Sequence, residues 1–161
     1  MNLLKGSLND AADVARIYES AKGTEFCAWS ALYPTLEHAR NDAAAGCLYI
    51  LKEGDITVGC ASVEAVPEDT DLPQWRVRED GFREVARVAI APEYRGRGYA
   101  KLLMSLLIEE LKKDGVRSIH LLAAKMNPPA CRTYASLGFD FLGECHRYGH
   151  DYFVCEKLLD E

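Results

Sequence analysis

No hydrophobic run in this 161-residue chain approaches the ~18 residues a membrane span needs; the longest lies over 43–51. The opening Met-Asn-Leu-Leu-Lys-Gly-Ser has no basic lead followed by an apolar block, so no secretory leader is expected, and the cytoplasm is the expected compartment. Positive charge is scarce: 19 Lys and Arg face 25 Asp and Glu, a net charge of −6. Phosphate backbones demand a basic face, so nucleic acid is not an expected partner. The six cysteines include no Cys-x-x-Cys pair, and buried thiols are expected rather than disulfides. Cys145, His146, His150 and Cys155 are metal-capable types. Structural zinc sites, however, pair their cysteines at short spacing and close on turns. Here the four flank Gly149 and an aromatic strand, so strand packing is expected and no metal. Repeats, low-complexity tracts and linkers are also missing, and residues 1–161 read as one domain.

What is present is a core-forming composition, 48% hydrophobic and 27% charged, with alternating element patterns. Apolar spacing predicts helices over 9–22, capped by Asn9 or Asp10, and over 35–45, ending at Gly46. Strands are expected at 48–51 and 56–64 around a turn at 52–55, and a polar loop with two prolines at 67–80. A strand at 82–91, a helix at 97–113, a strand at 117–124, a helix at 128–137 and strands at 139–145 and 151–157 follow. The order implies a mixed sheet with helices on both faces, an α/β or α+β domain.

The most informative stretch is the strand ending in Val88-Ala89-Ile90, then Arg95-Gly96-Arg97-Gly98-Tyr99-Ala100 and a long amphipathic helix. Gly96 and Gly98 permit the φ angles that turn several N–H groups one way at the positive end of a helix dipole. Arg95 and Arg97 can add charge-assisted contacts. A phosphate cradle and an ordinary helix start with an exposed basic turn both fit. No Gly-Lys-Ser/Thr follows, so it is not a P-loop, and it is not Gly-x-Gly-x-x-Gly. Further on, Asn127 suits an N-cap, Pro128 the first helical position and Gly138 the C-terminal cap. Ala130 and Tyr134 lie four apart on one helical face, leaving room beside a phenol.

Together these segments resemble the Gcn5-related N-acetyltransferase (GNAT) superfamily. Arg95-x-x-Gly98-x-Ala100 is similar to its pyrophosphate-binding motif, and Asn127-x-x-Ala130-x-x-x-Tyr134-x-x-x-Gly138-Phe139 to its second motif, in the family's order. The motif resemblance covers roughly 82–139. It implies a mostly antiparallel central sheet with a splayed strand pair, acetyl-CoA as co-substrate and an amine acceptor. Backbone groups at Val88, Ala89 and Ile90 would pair with the pantetheine arm. Amides from Arg95 to Ala100 would hold the pyrophosphate, and Asn127 would contact the arm. A homodimer is a further possibility the family offers.

The resemblance also assigns chemistry. Tyr134 is the expected general acid that protonates the departing thiolate, and a phenol of pKa near 10 holds its proton at pH 7. Glu84, where the cofactor strand begins, is the candidate base, acting through water on an amine that is mostly protonated at neutral pH. Strand alternation puts Glu84, Ala86, Val88 and Ile90 on one face, opposite Val85, Arg87 and Ala89. Some relatives carry a Glu shortly before the Asn; here 121–125 reads Leu-Leu-Ala-Ala-Lys, which leaves Glu84 or bulk water. Acceptor recognition is expected from the N-terminal part and the 67–80 loop, with Trp29, Tyr33, Trp75 and the loop's carboxylates as candidates. Two alternatives stay open: a different acyl-CoA, or a catalytically silent acyl-CoA-binding module.

Overall fold

The computed structural model describes residues 1–64 and 66–159. Its frame is a seven-stranded sheet in the order β1-β2-β3-β4-β5-β7-β6. The strands are β1 (Asn2–Lys5), β2 (Leu48–Glu53), β3 (Ile56–Val63), β4 (Phe82–Ile90), β5 (Ser118–Ala124), β6 (Asp140–Arg147) and β7 (His150–Leu158). Neighbours pair antiparallel except β4 with β5, which are parallel. Helices α1 (Ala11–Ala21) and α2 (Leu36–Ala44) cover one face, and α3 (Tyr99–Lys113) and α4 (Pro128–Ser136) the other. This is the mixed, mostly antiparallel α/β architecture expected. Among the described residues no helix is long and apolar enough to cross a membrane.

The spacing of apolar residues explains the two layers. Leu103, Met104, Leu107, Ile108 and Leu111 recur every three or four positions along α3, giving a buried stripe against Val58, Ala61, Val85, Ile119 and Leu121. On the opposite face Ala11, Val14, Ile17 and Tyr18 of α1 pack on Leu48, Ile50, Cys60 and Ala89. Because the sheet is covered twice, β2 and β3 read as nearly continuous apolar runs.

Three features depart from expectation. Strand β1 was not foreseen: it is a short, largely exposed edge strand, and such a segment carries no burial pattern to read. Helix α1 begins only at Ala11, after a 3₁₀ turn at Leu8–Asp10, and the Asp10 carboxylate accepts the Ser7 N–H at 2.8 Å. The third departure bears on the site. Between β3 and β4 the register passes from Ser62 opposite Ala86 to Cys60 opposite Ala89, so Arg87 and Val88 together oppose Ala61. Arg87 has φ 51°, the left-handed region that non-glycine residues seldom occupy. This bulge cancels simple alternation. Val85, Val88 and Ile90 all pack on the α3 side, whereas Ala89 packs with α1 and Arg87 bonds to Asp42 of α2. The expected grouping of Glu84 with Val88 and Ile90 is therefore wrong, since Glu84 precedes Val85 on the opposite side of the pleat.

From Glu84 onward, already before the bulge, β4 and β5 separate. Parallel pairing of β4 with β5 joins Phe82, Arg83 and Glu84 to Ser118, Ile119 and His120 and goes no further.

Candidate active site

Where β4 and β5 part, they leave a cavity of about 710 Å³. Its walls include Val85 to Ile90 from β4 and Leu121 to Ala124 from β5. The α3 start closes one end, α4 a side, and residues 24–29 arch over the α1 side. Val88, Ala89, Ile90, Arg95, Gly96, Gly98, Tyr99, Ala100, Asn127, Ala130 and Tyr134, separate in sequence, all line this one space. Glu84 and Arg97 do not.

The turn into α3 is built by glycine. Gly96 (φ 72°) and Gly98 (φ 84°) both take left-handed backbone, and Gly98 is the helix N-cap. A Cβ at either would meet no atom within 4 Å, so the turn is open on its outer side. The first N–H groups of a helix have no intrahelical acceptor, and here they begin immediately after that open turn. The two arginines are already engaged. Arg95 donates from Nε to the Ile90 carbonyl (3.0 Å) and from its terminal nitrogen to Ser20 Oγ (2.8 Å), fastening the turn to β4 and α1. Arg97 donates to the Glu93 carbonyl (3.2 Å) and its guanidinium lies 5.5 Å from the Tyr94 and Tyr99 ring centres. Both shape the turn, and the cradle itself is backbone.

Across the cavity, Asn127 caps α4: its side-chain oxygen accepts the Ala130 N–H at 3.2 Å. That fixes the helix pitch that puts Ala130 and Tyr134 on the cavity wall. Tyr134 is 9% exposed and packs edge-on against Phe139 at 5.7 Å. Burial holds its phenol well above the ordinary tyrosine range, so it keeps its proton.

Glu84 sits just past the deep end, next along β4 from the cavity-lining Val85, and is 6% exposed. Its carboxyl is pushed up to about 8, first by burial and then by the adjoining Asp69 and by Glu64. Asp69 comes from the 67–80 loop and is itself 5% exposed. One Asp69 carboxylate oxygen accepts from Arg147 (2.8 Å) and from the Tyr148 hydroxyl (3.0 Å) on the β6–β7 side. That loop is strapped down by Glu156 of β7, which accepts the backbone N–H groups of Arg76 (2.7 Å) and Val77 (3.1 Å) and the Ser118 hydroxyl (2.6 Å). Trp75, a candidate acceptor contact from sequence, instead stacks on His120 at 3.9 Å, and Phe82 covers the other His120 face at 4.3 Å. Trp29 does line the cavity.

Sequence reasoning missed one assembly. The Arg87 guanidinium binds both Asp42 oxygens (3.0 and 3.1 Å), Ser62 Oγ (3.3 Å), the Tyr33 hydroxyl (2.9 Å) and Glu64 (2.8 Å). A charge midway along an apolar strand was the available signal, because a buried guanidinium requires partners. The metal-capable residues go elsewhere: Cys155 is buried in the core and His146 pairs with Asp151 at 2.7 Å. Among the described residues no three His, Cys, Asp or Glu are grouped to hold a metal.

The sequence profile of the Acetyltransferase (GNAT) family matches residues 14–139. The chain belongs to that family. Among curated relatives, this GNAT acetyltransferase is 28% identical over 131 residues to the ribosomal protein bS18-alanine N-acetyltransferase of Haemophilus influenzae, covering 81% of this chain and 77% of the relative. It is 38% identical over 66 residues to mycothiol acetyltransferase of Actinosynnema mirum, but that match spans 40% of this chain and only 22% of the relative. A solved structure, the N-acetyltransferase PaiA of Thermoplasma acidophilum in complex with coenzyme A, shares the fold with a TM-score of 0.74 at 17% identity, covering 98% of each chain. The GNAT acetyltransferase therefore has its family fold built around the β4–β5 gap.

Proposed function

We propose that this GNAT acetyltransferase moves an acetyl group from acetyl-CoA to a primary amine, with the donor seated in the β4–β5 gap. One observation carries the reading: a single cavity runs from the glycine turn before α3 to Tyr134, so a phosphate-type cradle and a protonated phenol face the same space. The coenzyme A bound by the Thermoplasma relative and the amine acceptor of the Haemophilus relative support it.

The chain's residues fit that donor. Backbone around Gly96 to Ala100 would meet the pyrophosphate, and β4 residues Val88 to Ile90, whose β5 side is unpaired, would flank the pantetheine arm. Acetyl-CoA supplies an activated thioester, and the acceptor nitrogen displaces its sulfur. Tyr134 holds a proton at its phenolic oxygen and delivers it to that leaving sulfur. Glu84, raised towards the working pH, accepts the amine proton through water. An α-amine, with an ordinary pKa near 8, needs this help less than a lysine-like amine near 10.4.

The test is coenzyme A thiol release from acetyl-CoA across a panel of peptide α-amines, polyamines and amino-acid derivatives. Release that depends on an amine supports the assignment. Tight acetyl-CoA binding with no release from any amine points to a silent binding module, and faster turnover of a longer acyl-CoA corrects the donor.

A further inference from the structure

The Arg87 assembly lies outside both motifs, yet it stands where β4 leaves β5. Its backbone forms the bulge, and the pairing of β4 with β5 ends at Glu84. Every partner of its guanidinium lies on the β3 and α2 side or in the segment leading to α2: Ser62 on β3, Glu64 just after it, Asp42 on α2, and Tyr33. Ser62 Oγ also donates to Asp42 at 2.5 Å, which closes the network. The side chain is 7% exposed, so these contacts are made out of water, where charge-assisted bonds are strong and geometrically exacting. Arg87 also lines the cavity. A left-handed arginine is costly unless its surroundings over-determine it, and five contacts to four residues do so.

We propose that Arg87 is a positioning residue: it draws the bulged half of β4 towards β3 and α2, keeps the β4–β5 gap open for the donor, and ties Tyr33 to the same strand. This rests on the acetyl-CoA reading above. The side chain acts through β4 and need not touch the thioester. The consequence is mechanical coupling, in which the segment bearing Tyr33 and the donor strand move as one piece.

The decisive variants are Arg87→Gly, Arg87→Lys and Tyr33→Phe, with acetyl-CoA affinity read by calorimetric titration and kinetic constants by thiol release. Glycine accepts the positive φ, so Arg87→Gly keeps the bulge backbone and removes only the strut. Acetyl-CoA affinity should fall roughly tenfold or more in Arg87→Gly, recover in part in Arg87→Lys, and change less than about twofold in Tyr33→Phe. If Arg87→Gly does not fold, Asp42→Asn removes the bidentate partner and should weaken acetyl-CoA binding in the same direction. Wild-type acetyl-CoA affinity in Arg87→Gly, or in Asp42→Asn where it replaces it, overturns the proposal. Failure of the unaltered chain to bind acetyl-CoA overturns the donor assignment first and the proposal with it, so the two failures are distinct.

Discussion

Replacing Glu156 by glutamine tests how the 67–80 loop is held against the sheet. The carboxylate is fully buried and accepts two backbone N–H groups and the Ser118 hydroxyl, with Arg76 Nε at 3.4 Å. His120 Nε2 stands 3.4 Å from it, within ion-pair distance but without hydrogen-bond geometry. A glutamine offers one acceptor oxygen and turns an N–H₂ towards donors. Whichever way it lies, at least one buried N–H or O–H loses its acceptor, costing about 1–3 kcal/mol, and the bonds that remain lose their charge assistance, roughly 1 kcal/mol more. The sum is about 3 kcal/mol, or roughly 6–12 °C in Tm for a chain of this size. Acid supplies a second reading. Burial alone would raise this carboxyl, but Ser118, the two backbone N–H groups and His120 outweigh it and hold it low. A depressed carboxyl stabilises the fold above its unfolded pKa and loses that contribution as pH falls through the folded value. The wild-type advantage over Glu156→Gln should therefore be full at pH 7 and shrink below about pH 4. Calorimetric melts at pH 7 and pH 3.5 measure both. A difference under about 2 °C at pH 7, or one that persists undiminished in acid, refutes the reasoning.

Tyr134→Phe should lower kcat by about a hundredfold while acetyl-CoA affinity stays within about twofold, because only the proton is removed; unchanged kcat would remove Tyr134 from the chemistry. Activity should rise with pH through about 8 as Glu84 loses its proton, and Glu84→Gln should abolish that inflection; a pH–rate profile with the inflection intact eliminates Glu84 as base. Gly98→Ala meets no neighbouring atom but forces a left-handed alanine at the α3 cap. It should cost about 1–2 kcal/mol in a thermal melt and weaken acetyl-CoA binding; a neutral result would show that the turn tolerates a side chain.

The legible parts of the sequence were those where one local rule governs several residues. The α3 stripe, the Asn127 and Gly138 caps and the Gly96–Gly98 turn each follow from spacing and residue type, and the turn and the start of α4 meet at one cavity. Arg87 was illegible for a physical reason. Alternation assumes a regular strand, and a bulge that swaps faces is fixed by partners 25 and 45 residues away, Ser62 and Asp42. Asp69 escaped in the same way, because a loop's path over a sheet depends on long-range contacts such as Arg147 to the Asp69 carboxylate and Glu156 to the Arg76 N–H. The 67–80 carboxylates stood in the sequence as candidate acceptor contacts; one of them, Asp69, is buried against Arg147 and Tyr148.

The strand order carries a consequence for biosynthesis. β7 is made after β6 yet lies between β6 and β5. A nascent chain that has completed β6 therefore still holds β5, one wall of the gap, with an open edge. The glycine turn and both helices beside it exist before that wall is backed, so the donor cleft is among the last features the growing chain completes.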